Sequence, residues 1–212
     1  EVRAAAAVIL LTHVEDASDH NLPSLVWTAL HPLVKEFPED LLHVAAATTW
    51  SGLNRSIMRR FASEYDEYRS FINQLLAAAV RDRDVAFATD LVQALAMGLA
   101  GRRQAIRPAD WDELVAQFGP GAAPTLAQSL RDLSVVFGDG RALGEVTKSA
   151  LDESLGIEQR KAALQTLIDV QAPELREVCE KLLSVRHLNT KALAGLATLN
   201  DPAVGERLAK SY

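Results

Sequence analysis

The last part of the sequence copies itself at a fixed interval. Leu164, Leu167, Ala172-Pro173 and Leu175 recur 29 residues later as Leu193, Leu196, Asp201-Pro202 and Val204. Each copy reads as an apolar helix, a short break carrying proline, then a second helix. A unit of this size cannot bury its own hydrophobic face, so self-similarity at this period predicts helical pairs that cover one another's flanks. Leu130 and Leu133 precede Leu164 and Leu167 by 34 residues, and Gly138-Asp139-Gly140 stands roughly where Ala172-Pro173 stands one unit later. Three units therefore fill the second half.

Helical periodicity also dominates the first half, and no sustained alternating run rich in Val, Ile and Thr argues for strands. The expected fold is all-α, an α-α superhelix of the HEAT or armadillo kind. From Leu22 to Phe37 the apolar positions Leu22, Leu25, Val26, Ala29, Leu30, Leu33, Val34 and Phe37 follow the i, i+3, i+4, i+7 rule. Pro32 lies inside that stripe. It removes a backbone donor and crowds the carbonyl of Thr28, which predicts a kink or break near His31. Pro38-Glu39-Asp40 reads as a new helix start with acid in its first turn, and Ser51-Gly52 as its end. Leu53 to about Val80 predicts two helices, and Asp84 to Ala100 another that closes at Gly101 in the left-handed conformation of a helix terminus. Pro108 to Trp111 opens the next. Two glycines and two prolines between Gly119 and Pro124 cannot continue a helix, so a seam is expected there, dividing residues 1–118 from 122–212 unless the two run together as one domain.

Charge and cysteine content narrow the function. With 28 acidic against 22 basic residues, the net charge of −6 would repel a polyanion, and no basic cluster is large enough to predict a nucleic-acid partner. The single cysteine, Cys179, excludes an internal disulfide and any CxxC metal or haem-attachment motif within these residues. On a helical stripe between Leu175 and Leu182, it reads as a small core hydrophobe. The longest apolar run, Ala4 to Leu11, is eight residues. That is far short of the roughly 20 a membrane-spanning helix needs, and without a basic start or a small-residue cleavage site it reads as a buried helix. The opening on Glu1 and the absence of a polar capping unit before Tyr212 lead us to expect a piece of a longer protein.

The densest polar cluster is His13-Val14-Glu15-Asp16-Ala17-Ser18-Asp19-His20-Asn21, two histidines among carboxylates. Imidazole and carboxylate suit a divalent cation, yet the spacing fits neither HExxH nor a calcium loop. The competing reading is a hydrogen-bonded corner in which Asp19 or Asn21 caps the next helix. His31 and His43 stand in or beside apolar faces and read as structural. Neither GxSxG, a glycine-rich phosphate loop nor a Cys-plus-His signature is present, so no catalytic residue is assigned. Arg55/Arg59/Arg60 and Arg102/Arg103/Arg107 could meet an anion or an acidic partner, or pair with Glu64, Asp66 and Asp110. Arg102 and Arg103 stand out because Gly101 places them at a helix end. Trp27, Trp50 and Trp111 read as core or groove wall, and one left exposed would mark an interface.

The stretch from Leu11 to Pro23, followed by Trp27 and His31-Pro32-Leu33-Val34, resembles a corner in large exported proteins of Planctomycetes, Verrucomicrobia and Bacteroidetes. These are the membrane-bound-dehydrogenase or haem-binding-domain proteins. In them a sorbosone-dehydrogenase-like β-propeller precedes HEAT-like repeats and a c-type cytochrome domain follows. Gly98-Leu99-Ala100-Gly101-Arg102-Arg103 with Pro108 and Trp111, and the repeats from Leu130 onward, are similar to the same middle region. The resemblance implies an exported location and neighbouring propeller and cytochrome domains, or another protein, as partners. It also implies a scaffold or spacer with no chemistry and no cofactor of its own. It carries over no catalytic residue; His13, Asp16, Asp19, His20, Asn21, Arg102 and Arg103 remain as structural or contact candidates. Two alternatives stand beside it: a metal-dependent enzyme using the His13 to His20 cluster with His31 or His43, and a free-standing protein-binding adaptor.

Overall fold

The computed structural model describes residues 2–82 and 84–199. Asp201-Pro202 and Val204, which end the second copy of the repeat, and the terminus at Tyr212 lie outside the described residues. Among the described residues the chain is helical and contains no strand. In order come α1 (Val2–Leu10), a 3₁₀ turn (Val14–Ser18), α2 (Leu22–Leu30), α3 (Leu33–Glu36), α4 (Pro38–Ala47), α5 (Ser51–Ser63), α6 (Tyr65–Asp82) and α7 (Val85–Gly98). Then follow α8 (Trp111–Phe118), α9 (Pro124–Val136), α10 (Gly140–Leu151), α11 (Ile157–Asp169), α12 (Leu175–Leu182) and α13 (Asn189–Ala197).

Local chemistry accounts for most of these limits. Pro32, with no N–H to give, separates α2 from α3, where the break was expected. Ser51-Gly52 does the opposite of what the sequence suggests: it opens α5 instead of ending α4. Helix α4 stops at Ala47 because Thr48 turns extended (φ −107°, ψ 141°) and its Oγ1 accepts from the Trp50 amide at 3.0 Å. Asp84 caps α7 by accepting from the Phe87 amide (3.0 Å), and Asp139 caps α10 by accepting from Arg141 and Ala142. Gly101 adopts φ +76°, the left-handed conformation predicted for it.

Contacts divide the chain into two units. The first contains residues up to Ala100 together with Arg107–Leu130; the second contains Gly101–Ile106 and the residues from Arg131. The glycine-proline segment 119–124 is a turn inside the first unit, and the boundary falls within α9, between Leu130 and Arg131. A helix can serve two clusters along its length, which a count of breakers does not register.

In the first unit, α5 and α7 form the centre. Leu53, Ile57, Met58 and Phe61 of α5 and Leu91, Val92 and Leu95 of α7 are fully buried. Each large apolar side chain removed from water contributes about 1.5–3 kcal/mol, so this pair supplies a substantial share of the unit's stabilisation. Ser51 meets Asp90 near the start of both helices and Ala62 meets Gly98 near their ends, so the two run in the same direction while α6 returns the chain between them. Phe61 stacks on Tyr68 and Phe71 of α6 at 5.2 and 5.6 Å between ring centroids. Helix α2 packs on α1 and α5, and α4 on α1, α3 and α6. The expectation that Ala4 to Leu11 is a buried helix is half met. Ala4, Ala7 and Leu11 point inward, but Ile9 and Leu10 are 67% and 53% exposed.

In the second unit, α10 packs on α11 and α12 on α13, while α10 also touches α12 and α11 touches α13. Leu164, Leu167, Leu175, Val178 and Leu182 fill its core. Leu193, the repeat counterpart of Leu164, is exposed; Leu188, Ala192 and Leu196 supply the inward stripe instead. The same offset keeps Leu196 buried like Leu167 and Ala192 buried like Ala163, so the register holds while position 193 trades core for surface. Arg160 is buried with its Nε donating to the Ala150 carbonyl at 3.1 Å, and Thr166 donates to Asp132 at 2.9 Å.

Two glycines in this unit respond oppositely to a methyl group. A Cβ on Gly195 would lie 2.8 Å from the Cys179 sulfur and 3.0 Å from Ile168, whereas one on Gly144, exposed in mid-helix, meets nothing within 4 Å. Gly144→Ala raises stability by about 0.5–1 kcal/mol through reduced backbone freedom. Gly195→Ala lowers it, because overpacking at about 1–3 kcal/mol outweighs the same helix-forming gain. Urea midpoints of the two variants check the opposite signs; a shared sign contradicts the packing described.

Candidate functional site

The polar corner is an exposed turn that fixes the entry of α2. Asp19 Oδ1 accepts from the amides of Asn21 (2.7 Å) and Leu22 (2.8 Å), satisfying donors that the first turn of α2 leaves free. Of the two caps the sequence offered, Asp19 provides the side-chain bond and Asn21 does not. His13 Nδ1 lies 3.3 Å from Glu15 Oε1, with both side chains more than half exposed. Asp16 is half-buried and its carbonyl accepts from the Asp19 amide, while His20 and Asn21 are exposed. Among the described residues, no three His, Cys, Asp or Glu side chains gather to hold a metal ion. Within this corner the geometry supports a structural turn.

The other candidates separate. Arg102 is half-buried and donates from Nε to the Gln104 carbonyl at 3.1 Å, bracing the loop after Gly101, while Arg103 is exposed. Arg107 pairs with Asp112 at 2.9 Å, Arg60 with Glu64 at 3.1 Å and Arg55 with Asp90 at 3.4 Å. The reading of these arginines as paired with acids holds for Arg60 with Glu64, and Arg107 and Arg55 pair with Asp112 and Asp90. His31 and His43 are both exposed; His31 meets the half-buried Trp27 edge-on at 5.4 Å. Trp50 and Trp111 are core residues. Cys179 is fully buried, and burial pushes its thiol up to about 11, which leaves it protonated and unreactive at neutral pH.

The surface feature with the clearest physical demand is apolar. Arg3 is the only polar residue of α1, a helix that is otherwise hydrophobic on every side, yet only the stripe of Ala4 and Ala7 is covered. Val2 and Ile9 are exposed on the far side, and Leu10, Val14 of the 3₁₀ turn and Leu25 of α2 are each more than half exposed as well. A helix apolar all round is stable in water when something covers it.

One cluster joins residues that no sequence motif links. Ser51 donates to Asp90 at 2.7 Å and Arg55 donates to Ser51 at 2.7 Å, while Asn54 is 3% exposed. Asp90 is 39 positions from Ser51, and no short-range motif marks a pairing that depends on α5 and α7 lying side by side. Comparisons with protein-family models, with curated proteins and with solved structures find no match to this chain.

The two amides held by Asp19 stabilise its charged form and draw its carboxyl below the usual range. The sign follows: the cap's charge contributes fully above the unfolded value of about 3.9 and is lost as pH falls through the lower folded value. Asp19→Ala therefore lowers Tm by a few degrees at pH 7, and the gap to the parent narrows below about pH 3.9. Thermal melts from pH 7 to pH 2.5 check this, and a gap that does not vary with pH contradicts it.

Proposed function

We propose that this chain is a non-catalytic helical scaffold and docking module, a spacer within a larger exported, haem-containing oxidoreductase-like protein. The bare apolar residues of α1, the 3₁₀ turn and α2 carry the reading, because exposed apolar side chains of this size favour a protein partner. The packing of helices on their next and next-but-one neighbours in the second unit supports a superhelical, HEAT-like arrangement. The resemblance of the Leu11 to Pro23 corner supports the choice of parent, in which a β-propeller precedes the repeats and a cytochrome c domain follows. The propeller is the occupant we assign to the α1–α2 face. Among the described residues no helix is long and apolar enough to cross a membrane.

The test supplies, as a separate polypeptide, the protein segment encoded immediately upstream of Glu1 in the same reading frame. It binds this chain, and Ile9→Glu combined with Leu25→Glu weakens binding at least tenfold with Tm unchanged, because both side chains are already in water. Unchanged binding by the double variant, or an upstream segment with no affinity, contradicts the assignment; affinity for an unrelated protein instead supports the free-standing adaptor.

A further inference from the structure

We draw no further inference here: the strongest candidate, the cavity between the last turns of α4 and α6 and the first turns of α5 and α7, is an acidic cluster whose Asp90 is already held by Ser51 and Arg55, and no second observation among the described residues points to a ligand for it.

Discussion

The first unit depends on how closely α5 and α7 approach. A Cβ placed on Gly98 would lie 2.3 Å from the Cβ of Ala62 and 3.2 Å from the Arg59 carbonyl oxygen, so the absence of a side chain at Gly98 is what lets the two backbones come together. At the other end of the pair, Ser51 donates to Asp90. Two fixed points, one apolar and one polar, hold the helices side by side in the same direction. Helix α6 packs on both, α2 and α4 pack on α5, and Trp50 closes the lead-in to α5. Overpacking at such a contact strains side-chain rotamers and shifts backbone, because protein interiors are filled nearly as tightly as crystals.

Much of this was legible in the sequence because its cause is local. Pro32 breaks a helix through the donor it lacks, Asp19 caps through a carboxylate two and three residues before its amides, and Gly101 takes the left-handed turn that other residues resist. Ser51-Gly52 misled because serine and glycine end helices and begin them equally well; the extended Thr48, whose hydroxyl accepts from the Trp50 amide, makes it a beginning. The hydrophobic run at Ala4 to Leu11 states that a helix is apolar without stating how many sides are covered. Leu193 shows the limit of repeat matching: its neighbours Ala192 and Leu196 keep the buried register of Ala163 and Leu167, while Leu193 itself is exposed. The Ser51–Arg55–Asp90 cluster was invisible for a different reason: Asp90 meets the other two only because Gly98 allows α7 to lie on α5.

The corner from His13 to Asn21 is the part of the chain on which the resemblance to exported dehydrogenase-like proteins rests, and its observed work is mechanical. It ends α1, turns through one 3₁₀ segment and sets the start of α2 by the Asp19 bonds. By doing so it places α1 and α2 beside each other with Ile9, Leu10, Val14 and Leu25 bare. The polar turn thereby fixes where the exposed apolar residues of α1 and α2 stand.

The most direct test of the central contact is a double-mutant cycle at Gly98 and Ala62, read by urea unfolding. Gly98→Ala destabilises the parent by about 1–3 kcal/mol, since the clash exceeds what alanine adds to helix formation. In the Ala62→Gly background, where the nearest obstructing methyl is gone, the same substitution loses at least about 1 kcal/mol of that penalty. An equal penalty in both backgrounds, or a parent stabilised by Gly98→Ala, would contradict the close approach on which the α5–α7 centre is built.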